Sequence, residues 1–407
     1  MTIRRIPDDF AVDEAVSPDF LGGLLPEWSP MRLHAVYKLT KRSITTPDAC
    51  AYFARAVGVK AGKVDYTGLK DRHAVTAQLV SVRDEARATA AALPQAPSGD
   101  GWNAERLGFS PVPVAADIIE ANRFTIVVRR LQRRDFGVMD RRVNELSDGA
   151  GGMGAGGPLV VNYFGDQRFG SARHGEGFAA RRLIAGDFDG ALKLLLATPA
   201  RKDSGGWRDF TRAAATHWGD WTAMLPLLPK RPERAAPEAL AAGKHPTEAF
   251  AALPHFVQQM CVEAYQSWLW NAVASGLARR ASPKCFEADD DFGAMLFPPA
   301  AALDEAWRSL RVPTPGTGLT PHEPWGPVLE QVLREQGLNL DDLRIPGLRR
   351  PAFGCAERHW CVRADAFSIS APEADELSTN SALWKRTLRF DLPRGAYATV
   401  VLRALGQ

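Results

Sequence analysis

Hydrophobic residues alternate with mostly polar ones at Leu33, Ala35, Tyr37 and Leu39, the period-two pattern of a half-buried strand. A helix is predicted next. Thr46 serves as its N-cap with Pro47 at the first helical position, Ala49, Tyr52, Phe53 and Ala56 share one face, and Gly58 closes the end. A second strand is expected over residues 75–82. A third follows where Phe124, Ile126 and Val128 alternate against Arg123, Thr125 and Arg129, which gives it one basic face. Glycine dominates residues 149–157, and with no Gly-Lys-Ser/Thr ending the stretch reads as a linker rather than a phosphate loop. Beyond Gly170 the texture turns helical and Ala-rich. Met260, Ala264, Trp268 and Ala272 fall on one helical face, with Ser267, Trp270 and Asn271 turned away. Prolines crowd residues 298–327 and 346–351 and mark loops and a boundary. Strand patterns return at Trp384, Leu388 and Phe390, and again at Ala398, Val400 and Leu402. The C-terminal strands are therefore expected to complete the sheet begun at the N-terminus, with the middle of the chain inserted into it.

At 407 residues with 45% hydrophobic content, the chain is long enough for two domains of ordinary globular make-up. The net charge of +3 is too small to announce nucleic acid by itself, so any binding must rest on local patches. Candidates are Arg4 with Arg5, residues 38–42, residues 70–72 and residues 129–134; the plain alternative for each is a solvated face or strand end. Five scattered cysteines with no Cys-x-x-Cys spacing suggest neither a disulfide framework nor structural zinc, and the eight histidines show no ligand spacing. No metal is expected. The N-terminus lacks an apolar signal core, and no apolar run reaches the ~20 residues of a membrane helix. A cytoplasmic protein with no membrane association is the expectation.

Asp71 carries the densest chemistry. It lies on a loop with Lys70 and Arg72 on either side, between Gly68 and an apolar strand-like run, well placed to stay ionised beside a polyanionic substrate. A lone loop Asp is more often a turn or cap residue. Its surroundings change the weighing. The string Gly68-Leu69-Lys70-Asp71-Arg72-His73-Ala74-Val75-Thr76-Ala77-Gln78 resembles the signature Gly-x-Lys-Asp-x-x-Ala-x-Thr-x-Gln of the TruD family of tRNA pseudouridine synthases. Asn162-Tyr163-Phe164-Gly165-Asp166-Gln167-Arg168-Phe169-Gly170 is similar to that family's Asn-Tyr-Phe-Gly-x-Gln-Arg-Phe-Gly element. The C-terminal Leu392-Pro393-Arg394-Gly395-Ala396-Tyr397-Ala398-Thr399 is similar to its Leu-Pro-x-Gly-x-(Tyr/Phe)-Ala-Thr ending. The three strings occur in family order and span nearly the whole chain.

The resemblance implies an α+β fold: a catalytic domain with a mixed, largely antiparallel sheet flanked by helices, over residues 1–187 and 350–407, and an inserted TRUD-type α/β domain over 188–349. It implies isomerisation of uridine, at position 13 of tRNA, to pseudouridine, with no cofactor and no protein partner. Asp71 would be the catalytic carboxylate, acting at the sugar either as nucleophile or as base, a choice the sequence leaves open. The base must leave its stack, and an aromatic face offers about 1–3 kcal/mol per stacked base. Phe164 matches the family's stacking ring, although an unrecognised Phe there would read as core. Asn162 could bond the loop or a base edge. The family commonly pairs the Asp with a lysine shortly before an Asp-Phe-x-Val-x-Glu element; here that element is residues 9–14, and Arg4 stands in the lysine's place. A close guanidinium would favour the ionised carboxylate. Lys41-Arg42-Ser43-Ile44-Thr45-Thr46 stands where the family shows Lys-x-Gly-x-Asn-Thr, which offers Lys41 as a phosphate contact. Lys70, Arg72 and Arg168 are further substrate-binding candidates, and Arg403, on the last predicted strand, could join them. The RNA is expected between the two domains. Two rival readings are a non-catalytic RNA-binding or RNA-folding protein, favoured by the changed cation at Arg4, and a glycosidase using Asp71 with Asp65 or Asp84 as second acid.

Overall fold

The computed structural model describes residues 2–29, 31, 33–83, 93–148, 156–172, 175–200, 203 and 205–407. Asp84 and most of the glycine run 149–157 lie outside the described residues. The chain divides into two compact units, Met1–Val160 with Val362–Gln407, and Val161–Cys361. The middle unit is thus longer at both ends than the insertion expected at 188–349.

The first unit is built on one sheet, which among the described residues has eleven strands: β1 Thr2–Ile3, β2 Phe10–Val16, β3 His34–Arg42, β4 Val64–Tyr66, β5 Val75–Arg83, β6 Ser98–Gly99, β7 Trp102–Ser110, β8 Ile119–Leu131, β9 Asp365–Ile369, β10 Glu373–Ala374 and β11 Trp384–Pro393. Their order is β9-β11-β8-β2-β5-β3-β7-β6, with β1 on β8, β10 on β11 and β4 on β5. Only β2 and β5 run parallel, in the register Ala11 to Val75 and Asp13 to Ala77. The mixed, mainly antiparallel sheet matches the expected fold class. The alternating positions explain it: Ala35, Tyr37, Leu39, Val80 and Val82 point to one buried layer. Against that layer the helix Thr46–Ala56 lays Ala49, Cys50, Phe53 and Ala54, with Phe53 edge-on to Tyr37 at 5.0 Å and to Trp102 at 6.2 Å. β11 pairs with β8 along most of its length, so the C-terminal segment does complete the N-terminal sheet.

Four local expectations are corrected. The helix is capped by Thr45, not Thr46: the Thr45 hydroxyl oxygen accepts from the Asp48 N–H at 3.2 Å, and Thr46 is the first helical residue. Thr45→Ala is therefore expected to cost about 1 kcal/mol of stability, read as a lower thermal midpoint with unchanged near-native helix content. Second, residues Ala398–Ala404 form a helix. Alternation at Ala398, Val400 and Leu402 suggested a strand, but Val401 and Ala404 are buried as well, so burial does not follow a period of two. Third, Arg129 on β8 is not part of a solvated basic face. It is 3% exposed and bonds Asp9 at 2.7 Å, Asp375 at 2.8 Å and Glu376 at 3.0 Å. Fourth, Gly157, at the described end of the glycine run, is more than linker: a Cβ there would lie 2.0 Å from the Ala364 carbonyl oxygen.

The second unit is organised by the helix His255–Ala281. Its expected single apolar face is only part of the picture. Cys261, Val262, Tyr265, Leu269, Trp270, Val273 and Leu277 are buried around its circumference, the pattern of a helix enclosed by its own domain. Its polar side chains are consumed internally: Trp270 donates to the Val312 carbonyl at 3.2 Å, and Gln266 to the carbonyls of Pro315 and Gly354, both at 2.7 Å. Among the described residues no helix is long and apolar enough to cross a membrane.

Candidate active site

Asp71 sits on the loop 67–74 between β4 and β5, with a side chain one third exposed. Arg4 reaches it: Nη2 lies 2.8 Å from Asp71 Oδ2. The backbone at Arg4 is left-handed, with φ 71°, a conformation a non-glycine residue adopts at a cost and which merits a functional reading. It turns the guanidinium back over the Phe10 ring, 4.0 Å from its centroid, and onto the carboxylate.

The loop itself is held from several directions. Gln78 donates to the Gly68 carbonyl at 2.7 Å and accepts from the Thr46 hydroxyl at 3.0 Å, while the Lys70 N–H donates to Thr46 Oγ1 at 3.0 Å. The Thr67 hydroxyl donates to Glu14 Oε2, which also accepts from the Leu79 N–H at 3.3 Å. Lys70 Nζ lies 2.7 Å from Glu14 Oε1 and 2.7 Å from Asn122 Oδ1, with a side chain only 11% exposed. Lys41 is 1% exposed, and its Nζ donates to the carbonyls of Asp71 at 2.7 Å, Ile44 at 2.9 Å and Lys70 at 3.5 Å. Burial draws its ammonium down to about 8, against the pull of Asp71 upward and with Lys70 adding to the fall.

Two sequence expectations change as a result. Lys41 and Lys70 were candidates for substrate phosphate, yet both cations are turned inward and committed to the protein. Arg72 is exposed on the same loop. Carboxylates of residues 8–14 also pair with cations in three of the basic patches, some of them at the surface: Asp8 with Arg42, Asp9 with Arg129, Asp13 with Lys38 and Glu14 with Lys70. The Arg42 hydrogen bond chiefly lowers the Asp8 pKa.

The second motif string lies in the other unit. Asn162 donates to the His359 carbonyl at 3.1 Å and its Oδ1 accepts from Arg358 at 2.6 Å, so its amide is used to bond the loop. Phe164 is 8% exposed and stands edge-on to Trp270 at 5.6 Å, with the Arg358 guanidinium 4.3 Å from its centroid. Asn271 grips the Phe164 backbone through both its N–H and its carbonyl, at 2.8 and 3.0 Å. Arg168 pairs with Glu263 at 2.9 Å, donates to Ser267 at 3.1 Å and lies 5.6 Å from the Phe164 ring. The surroundings of Phe164 are those of a packed aromatic rather than an open platform.

Sequence reasoning named Asp71 and Arg4, which meet, but not Glu14, Thr46, Gln78 and Asn122 as the residues that fix the loop. The signal was available, since Glu14, Thr46 and Gln78 each end one of the quoted strings. Ser43 stands where the similar string has glycine, and its φ of 60° shows why: the turn requires a left-handed residue. Among the described residues no group of three or more His, Cys, Asp or Glu side chains is arranged to hold a metal ion.

The family model of tRNA pseudouridine synthase D (TruD) matches residues 1–292 and 300–405. The chain belongs to the TruD family. Among curated TruD proteins, "tRNA pseudouridine synthase D" of Aquifex aeolicus is 28% identical over 415 residues, covering 99% of this chain and 97% of its own. "Probable tRNA pseudouridine synthase D 2" of Methanocaldococcus jannaschii is 27% identical over 414 residues, with 99% and 91% covered. "Probable tRNA pseudouridine synthase D" of Halobacterium salinarum is 30% identical over 434 residues, with 98% and 92% covered. A TruD crystal structure from Methanosarcina mazei shares the fold, with a TM-score of 0.68 at 22% identity over 99% of this chain and 92% of that one.

Proposed function

We propose that this chain is a tRNA pseudouridine synthase that converts uridine 13 to pseudouridine, with Asp71 as the catalytic carboxylate. The observation that carries the reading is a partly exposed carboxylate, paired with the Arg4 guanidinium, on a loop whose backbone is fixed by buried side chains. Membership of the TruD family and the names of its relatives support the reaction class. The reaction breaks N1 from C1′, turns the uracil, and joins C5 to C1′, with the C5 hydrogen leaving as a proton and the freed N1 taking one up. It needs a fixed anion at the sugar and no electron donor or acceptor. Preorganisation suits this demand, because a carboxylate already in place loses little freedom when the sugar arrives.

Arg4 holds that carboxylate in place through its 2.8 Å contact. Phe164 enters the reading as the stacking ring on its place in the motif alone, since the ring is largely covered. Uridine 13 rests likewise on the motif strings. The test is release of tritium from tRNA carrying 5-tritiated uridine, with the modified position mapped on the product. Turnover at uridine 13 supports the proposal, and an inert native chain overturns it.

Arg4→Ala in that assay is expected to lower kcat/KM by about 10- to 100-fold, the equivalent of one hydrogen bond to a charged group. Arg4→Lys is expected to recover most of the loss, because an ammonium can also reach the carboxylate. Equal loss in both variants would assign the effect to the guanidinium's stacking on Phe10 instead.

A further inference from the structure

We propose that Lys41 is a positioning residue for the reaction: its buried ammonium holds the loop backbone at Asp71, and so sets where the carboxylate points. This rests on the reading of Asp71 given above and deepens it. Lys41 is the last residue but one of β3, and its side chain ends among three carbonyl oxygens, those of Ile44, Lys70 and Asp71. An ammonium has three N–H donors, and here each has an acceptor. The carbonyl at 2.7 Å belongs to Asp71 itself, so the side chain and the main chain of one residue are gripped by two different cations: Arg4 on the carboxylate, Lys41 on the backbone.

A buried ammonium is costly unless its donors are met, and an apolar residue would fill this space more cheaply. What an apolar residue could not do is tie β3, the turn at 43–44 and the loop 67–74 together at one point. The groups facing Lys41 are Asp71 and Lys70 from the loop and Cys50 from the helix Thr46–Ala56, with Arg4 beyond the Asp71 carboxylate. Desolvation outweighs the attraction of Asp71 and brings the ammonium down to about 8. Loss of the proton leaves a lone pair aimed at one of three carbonyls, and removes a cation from beside Asp71. The hold on the loop then weakens as pH rises through that value.

The experiment compares Lys41→Met and Lys41→Arg with the native chain by tritium release across pH, beside Asp71→Asn. For Lys41→Met, kcat is expected to fall about 10²-fold with KM held within about threefold, as for a misplaced catalytic group. The native rate is expected to decline above about pH 8, and Lys41→Arg, which stays charged, to lack that decline. A Lys41→Met rate close to native, a change confined to KM, or the same alkaline decline in Lys41→Arg overturns the inference. Should Lys41→Met fail to fold, the pH profile of Lys41→Arg decides. Amide hydrogen exchange over residues 67–74 reads the same hold without turnover: faster exchange in the variants supports it, unchanged exchange sinks it. An inert native chain or an active Asp71→Asn would overturn the assignment of function, whereas a dead Asp71→Asn beside a fully active Lys41→Met overturns Lys41 alone.

Discussion

Asp71→Asn is expected to abolish tritium release, lowering kcat by at least about 10³-fold, within the range a positioned acid, base or nucleophile supplies. The substitution is close to isosteric, and the contact that fixes the loop at this residue is the main-chain carbonyl bonded by Lys41, which asparagine keeps. Thermal stability and tRNA affinity should therefore stay near native while the chemistry is lost. An amide can neither attack C1′ nor take a proton from C2′, so the result holds for either route. Residual activity within tenfold of native would place the reacting carboxylate elsewhere. Asp65, the other described acid weighed from the sequence, lies exposed on β4, outside the pinned loop, so an Asp65→Asn variant should behave as native.

The loop was legible because its neighbours in sequence are its neighbours in the fold. Gly68, Asp71 and Gln78 are ten residues apart at most, and the strand that follows them is marked by plain alternation. The carboxylate's partner was legible only through the motif, since Arg4 is separated by 67 positions. What the sequence concealed is charge pairing over long separations. Four basic patches looked available to RNA, yet Asp8, Asp9, Asp13 and Glu14 on one short segment pair with cations in three of them. Residues 8–14 lead into and form β2, which lies between β8 and β5 in the sheet, so its carboxylates meet cations from strands on both sides. A linear reading gives Lys41 and Lys70 positive charge but not direction. Direction comes from the fold: β3 turns Lys41 inward, and the loop held by Thr46 and Glu14 turns Lys70 inward. The same limit explains the last helix: two faces of burial produce a run of apolar residues whose alternate members imitate a strand.

Arg129→Ala is expected to destabilise the first unit by about 3–5 kcal/mol, the cost of leaving buried carboxylates without their counter-charge. One guanidinium serves Asp9 and Asp375, both buried, and Glu376, which is half exposed. Those acids come from opposite ends of the chain, so the arginine on β8 joins the N-terminal and C-terminal segments of one sheet. For a unit of this size the loss corresponds to a thermal midpoint lower by about 6–20 °C, measurable by calorimetry or far-ultraviolet circular dichroism. Removing the charges together separates burial from pairing: Arg129→Met with Asp9→Asn and Asp375→Asn should lose less than Arg129→Ala alone, because no uncompensated ion remains. The cluster also fixes a pH dependence. The Arg129 hydrogen bond, followed by that of Lys385, holds the Glu376 carboxyl down at about 2. Its folded pKa lies below the unfolded value, so the stabilisation is present above about pH 4.5 and is lost as pH falls toward 2. Solvent screening at this exposed carboxylate keeps its share small. In Arg129→Ala the acid-side loss over that window should flatten, and a midpoint unchanged at neutral pH would show that β8 holds the two chain ends by apolar packing rather than through this arginine.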